Sequence, residues 1–153
     1  STSISVDGVN NDRIELTIEF DVTAFSEDVY VVNAKTATGF ATSSTTTAPT
    51  TTEGVGYHVQ YTGTAPDATT VTSTSLTSTA EEETNSFLVE DGQTETFTLK
   101  VVVSNDGTPD LTGTSARAIL AGIGFGDSDS ATADSVYSFD LSDFKTEYEI
   151  IAD

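Results

Sequence analysis

Strict alternation of apolar and polar residues over positions 14–22 most limits how this chain folds. Ile14, Leu16, Ile18, Phe20 and Val22 occupy the even positions, and acidic residues or Thr occupy the odd ones. Successive side chains of a strand point to opposite faces, so this segment places one apolar face against a core and one acidic face in water. The alternation predicts a half-buried β-strand.

Other segments carry the same kind of signal. Apolar, β-branched and aromatic residues recur in short runs at 28–33, 55–61, 87–89, 97–103, 115–125, 137–141 and 144–150. Asp91-Gly92 lies between two of them and suits a β-hairpin or a tight strand connection, and 105–110 is a second turn sequence. The chain contains 29 Thr and 17 Ser, which favours strands over helices. We therefore predict one all-β domain over 1–153, an antiparallel β-sandwich.

A Thr/Ser-rich segment at 36–53 interrupts this pattern. It has low complexity, no periodicity and, before Glu53, no charged residue. The composition predicts a long exposed loop or arm. An O-glycosylated segment and a strand that pairs only with another subunit are the two alternatives.

Charge excludes several classes of partner. The chain has 25 acidic and 5 basic residues, a net charge of −20, and no Cys. Nucleic acids and anionic lipid surfaces attract clustered Lys and Arg, so neither is an expected partner. No apolar run is long enough to cross a membrane, and we predict no membrane insertion of this chain. Its composition and its start at Ser1, without Met, favour a processed, secreted protein at the cell surface.

Catalytic groups are scarce in the sequence. His58 is the single histidine, and its position between Tyr57 and Val59 predicts an exposed residue on the polar face of a strand. No Gly-x-Ser-x-Gly sequence is present, and nothing selects two carboxylates for glycoside hydrolysis. We expect a protein that is not an enzyme.

Calcium is the cofactor that clustered acidic residues favour, because it takes six to eight oxygen ligands. The best candidates are Asp127, Asp129 and Asp134, in a loop that begins with Gly126. A second acidic loop, 7–12, could join them. Solvated turn residues are the alternative, since turns also favour Asp, Asn and Gly.

The segment 88–103 supplies a resemblance. An apolar pair, an acidic-Gly turn at Glu90–Gln93 and an alternating run from Phe97 to Val103 resemble a hairpin of immunoglobulin-like modules of prokaryotic surface proteins. Segments 16–31 and 137–151 are similar to the same modules. The resemblance implies an immunoglobulin-like β-sandwich in an adhesin stalk, a surface layer or a filament, some of the last joined by strand donation.

Two functional hypotheses follow. The first is a secreted structural subunit that forms a homo-oligomeric filament or surface layer, joined through the N-terminal strand residues Ile4 and Val6 or through the Thr/Ser-rich arm. The second is an adhesin module that binds a glycan or a protein, with Tyr57 and Tyr61 as its platform. The shared parity of these tyrosines with Val55 and Val59 favours a place in the core instead.

Overall fold

The computed structural model describes residues 2–5, 13–41, 54–62, 71–104, 113–140 and 143–151. This part of the chain contains strands and no helix. The strands are β1 (Thr2–Ser5), β2 (Arg13–Thr23), β3 (Val29–Val32), β4 (Lys35–Ala41), β5 (Val55–Thr62), β6 (Val71–Ser78), β7 (Glu81–Glu82), β8 (Ser86–Val89), β9 (Thr94–Ser104), β10 (Ser115–Gly126), β11 (Ser135–Ser138) and β12 (Glu149–Ile150).

The strands form two packed sheets, which is the arrangement of a β-sandwich. The four-stranded sheet has the order β1-β2-β9-β6. The eight-stranded sheet has the order β4-β5-β10-β3-β8-β7, with β11 and β12 also paired to β10. The all-β class predicted from the sequence is confirmed.

The core lies between the two sheets and is built from alternate residues. The apolar parity predicted for β2 is confirmed, because Ile14, Leu16, Ile18 and Phe20 are all buried. Phe97 of β9 joins the two sheets: it stacks on Phe20 of its own sheet at a centroid distance of 5.5 Å and meets the edge of Phe87 from the other sheet at 5.7 Å. Such aromatic pairs add to the stabilisation that burial provides.

Three strands come from sequence in which we expected no strand: β4, β6 and the two-residue β7. Residues 36–41 of the predicted loop 36–53 lie in β4, and residues 42–53 lie outside the described residues. β4 pairs with β5 in parallel, so the prediction of a fully antiparallel sandwich is wrong at this edge. β6 is the second such strand and pairs with β9. Six of the eight residues of β6 are Ser or Thr, and β4 combines two Thr with two Ala, one Gly and a single large apolar residue, Phe40, so neither shows apolar alternation.

The turn at Asp91-Gly92 connects the two sheets. β8, before the turn, pairs with β3 and β7, whereas β9, after it, pairs with β2 and β6. The two strands on either side of the turn therefore form no hairpin. Of the two predictions for this turn, the tight strand connection is confirmed.

The last described stretch, 134–140 with 143–151, runs along one edge of β10 and is called here the C-terminal segment. The Phe139 N–H donates to the Ala121 carbonyl oxygen at 3.0 Å, and the Leu120 N–H donates to the Phe144 carbonyl oxygen at 2.8 Å. Near the other end of β10, the Ile151 N–H donates to Thr114 at 2.8 Å. Strands β11 and β12 are the two regular pieces of this interrupted edge strand.

Candidate functional site

Two of the three predicted calcium ligands, Asp129 and Asp134, accept hydrogen bonds from other groups of the chain. Asp129 Oδ1 accepts hydrogen bonds from the Asn85 N–H at 2.9 Å and from the Ser86 hydroxyl at 2.8 Å. Asp134 Oδ2 accepts a long one, 3.4 Å, from the Asp127 N–H. The Asp129 contacts hold the β10–β11 loop against the turn between β7 and β8, and the Asp134 contact lies within the loop. Local sequence patterns could not predict the Asp129 contacts, because both partners lie more than forty residues earlier.

Calcium binding by Asp127, Asp129 and Asp134 stays a prediction. Within the described ranges, no group of three His, Cys, Asp or Glu side chains is placed to hold a metal ion. The hydrogen bonds from Ser86 and Asn85 lower the pKa of Asp129, so this carboxylate stays charged through its protein partners. The second acidic loop, 7–12, lies outside the described residues.

The predicted inter-subunit strand is only partly described. Ile4 lies in β1, where it is paired with Ile14 of its own chain, and Val6 lies outside the described residues. Among the described strands β1 ends the four-stranded sheet and pairs with β2 alone, so donating it to a second copy requires breaking that pairing first.

The predicted binding platform on β5 is not available to a ligand. Tyr61 is fully buried and Tyr57 is 5% exposed, and both belong to the core between the sheets. The Tyr57 hydroxyl forms a hydrogen bond of 2.8 Å with the hydroxyl of Thr74 on β6, which links the two sheets. The core placement favoured by their parity is confirmed.

His58 is buried, which corrects the prediction of an exposed residue. As expected, the His58 side chain points to the face of β5 opposite the core between the sheets. That outer face is nevertheless shielded from water at this position, because only 9% of the residue is exposed. Burial lowers the pKa of the His58 imidazole. The same outer face holds buried Ile119 and also Gln60, whose Oε1 accepts hydrogen bonds from the Arg117 guanidinium at 2.6 and 2.8 Å.

The outer edge of β6, in the four-stranded sheet, is a surface without charge in this acidic protein. β6 ends this sheet, and none of its eight residues is charged. Ser73, Ser75 and Thr77 are exposed on its outer face. β4, which ends the other sheet, lies next to β6 and has no charged residue after Lys35. One side of a strongly acidic protein is therefore formed by two edge strands that contain no acidic residue.

The opposite side of the sandwich carries aromatic side chains of the C-terminal segment. Tyr137 is 61% exposed, and its ring lies 5.0 Å from that of Phe139, which in turn lies 5.0 Å from Phe144. The rings meet at steep angles of 62° and 69°. The three rings form an apolar ridge, and they do not form a flat surface on which a ligand ring could stack.

Comparisons with known proteins provide no relative for this chain. A scan against protein-family models, a search of curated proteins and a search of solved structures all find no match. In the part that the structure describes, no helix has the length and apolar character needed to span a membrane.

Proposed function

We propose that the protein is a non-catalytic structural subunit of a self-assembling filament or layer at the cell surface, and that its copies associate through sheet edges that contain no acidic residue. The observation that carries this proposal is the outer edge of β6, beside which the described part of the chain places no paired strand. Edge strands present unpaired N–H and C=O groups, and monomeric proteins blunt them with charged residues, Pro or very short strands. β6 has eight residues, none of which is charged or Pro.

The charge distribution supports the same conclusion. Copies that each carry a net charge of −20 repel one another, so a contact between them is most favourable where neither surface has carboxylates. β6 and the neighbouring β4 form such a surface. Salt at about 1 M shortens the screening length to about 3 Å and removes most of the remaining repulsion. Assembly through these edges therefore strengthens as salt is added.

The test combines electron microscopy with size-exclusion chromatography at about 0.15 M and about 1 M salt. Ser75→Glu with Thr77→Glu places two carboxylates on the exposed face of the β6 edge. Across a paired edge these oppose the same groups of the next copy, and like charges at that distance are destabilising. We expect ordered assemblies of the unmodified protein and monomers of the double variant.

The matched control adds two carboxylates at exposed positions of the β10–β11 loop, Ser128→Glu with Ala131→Glu. It has the same net charge as the edge variant and should assemble like the unmodified protein. A protein that stays monomeric at both salt concentrations contradicts the proposal. Equal assembly by the edge variant and the control shows that β6 is not the contact.

A further inference from the structure

From Ile18 to Thr23, β2 has a paired strand on one side only among the described residues. β9 pairs with β2 along its whole length, from Arg13 to Thr23, whereas β1 pairs only with residues 13–16. Over 18–23, no strand in the described part of the chain lies on the side opposite β9. This β2 edge and the β6 edge belong to the same four-stranded sheet but lie on its opposite sides.

The backbone groups along this edge are directed outwards. The Ala24 N–H donates to the Gln93 carbonyl oxygen at 3.1 Å, on the β9 side. In an antiparallel ladder alternate residues bond to opposite neighbours, so Glu19, Asp21 and Thr23 direct their N–H and C=O groups away from β9. Three donors and three acceptors at a regular spacing are therefore offered to a further strand.

An apolar groove lies beside these groups. A cavity of about 350 Å³ is bordered by residues 21–23 and is lined by Val22, Val29, Val31, Ile123, Phe125 and Phe139. A second cavity of about 420 Å³ lies between residues 17–19 and residues 143–147, and its lining is mixed, with Ile18 and Phe144 beside charged residues. Residues of the C-terminal segment contribute to the lining of both cavities. The stretch 18–23 has the length of a six-residue strand, roughly 20 Å.

The pairing of β1 shows how a strand sits on this edge. Ile4 is placed opposite the inward-facing Ile14, and Ser3 is opposite Glu15 on the outer face. A strand that continues this line along 18–23 places every second residue towards the groove and the others beside Glu19 and Asp21. Both carboxylate residues are exposed, and opposite-charge pairs across strands are stabilising.

The acidic residues of this edge favour a basic partner over a second copy of the chain. Two β2 edges from two copies would bring Glu19 and Asp21 against the same acidic residues, which is unfavourable. We propose that this groove binds an extended segment of a different protein, with apolar residues at every second position and Lys or Arg between them, added as a strand to β2. This activity goes beyond self-assembly, since it uses another edge and another partner.

The first test uses two synthetic peptides of equal composition and charge, Lys-Val-Lys-Val-Lys-Val-Lys and Lys-Lys-Val-Val-Val-Lys-Lys. Only the alternating peptide can place all its valines on one face of a strand. Calorimetry should show that it binds at least about tenfold more tightly than the block peptide. Equal affinities would mean general attraction to an acidic protein and would overturn the proposal.

The second test changes the edge itself. Asp21→Pro removes one outward N–H, and Pro is tolerated where that group faces solvent. Asp21→Asn removes the charge, keeps the N–H and keeps an oxygen that can accept the hydrogen bond from the Thr96 hydroxyl. We expect the Pro variant to bind the alternating peptide at least about tenfold more weakly than the Asn variant. Equal affinities of two folded variants contradict strand addition.

A charge reversal keeps the proposal testable if the Pro variant does not fold. Glu19→Lys with Asp21→Lys should weaken binding of the alternating Lys peptide and favour a Glu-Val-Glu-Val-Glu-Val-Glu peptide. The control, Glu81→Lys with Glu82→Lys, makes the same change in net charge on exposed residues of β7. An equal effect of both reversals would assign the binding to net charge and overturn the proposal.

Discussion

The carboxylate of Asp129 lies 2.8 Å from the hydroxyl of Ser86, a residue that is completely buried. The same oxygen accepts the N–H of Asn85, so one exposed side chain holds two chain segments together. Removing it leaves the buried Ser86 hydroxyl without this acceptor, which is unfavourable. Asp129→Ala should therefore lower the melting temperature at about pH 7, whereas Ser128→Ala in the same loop should not.

This contribution depends on pH in a known direction. The pKa of Asp129 is lowered in the folded protein, so its stabilisation is present above the ordinary pKa of an aspartate, about 3.9. It disappears as the pH falls through the lower, folded-state value. The difference in melting temperature between the unmodified protein and Asp129→Ala should shrink towards about pH 2. A difference that is constant with pH contradicts the assignment.

His58 should make stability depend on pH in a second range. Burial lowers its pKa, so the unfolded chain takes up a proton first as the pH falls below about 6.5. The free energy of unfolding should therefore fall between about pH 7.5 and about pH 5 in the unmodified protein and change less in His58→Gln.

Because His58 is the only histidine, its imidazole resonance in an NMR titration reports this pKa directly. Urea unfolding of both proteins at the two pH values gives the stability difference. A resonance that titrates at or above about 6.5 would contradict the prediction.

Phe97 should be among the most sensitive core positions. It is fully buried and contacts one phenylalanine from each sheet. Phe97→Ala should lower the free energy of unfolding by about 3–5 kcal/mol, because it leaves a cavity where the sheets meet. Phe25→Ala is the matched control, since Phe25 is 77% exposed, and should change it by less than about 0.5 kcal/mol. Similar losses in both variants would place Phe97 outside the core.

Gly92 should contribute to stability because its backbone conformation is one that other residues adopt less readily. Its φ is 78°, and an added Cβ meets nothing within 4 Å, so a substitution costs only conformational energy. Gly92→Ala should lower the free energy of unfolding by about 1 kcal/mol, and Gly92→Asn by less, because Asn adopts this region more readily. Chemical denaturation distinguishes the two. Equal stability of all three proteins would contradict the prediction.

Sequence reasoning was most successful where a strand has one apolar face. β2 and β9 alternate cleanly, and their inward residues are buried as predicted. β4 and β6 were not predicted, because each has a single large apolar residue flanked by small or polar ones and therefore no apolar alternation. The alternation of residues in β5 correctly predicts that His58 points away from the core between the sheets. It does not indicate that the outer face of β5 is also buried at this position.

Long-range pairing accounts for most of the remaining differences. An Asp-Gly turn has the same local chemistry whether its flanking strands pair together or enter separate sheets, so the sequence left both predictions for Asp91-Gly92 open. The partners of Asp129 and the edge of β2 over 18–23 likewise depend on residues that are distant in sequence. Each follows from the order of strands, which local patterns do not encode.

The pairing of β2 with β9 also determines how the chain reaches its native state. Thr23 and Thr94, which meet at one end of this pair, are 71 residues apart in sequence, and the separation increases towards the other end. The entropy of closing so long a loop is lost before the paired strands bury their core residues. Proteins dominated by such distant pairings fold in about milliseconds to seconds. Until that closure occurs, the apolar face of β2 has no partner, so newly made chains are most exposed to aggregation at this step.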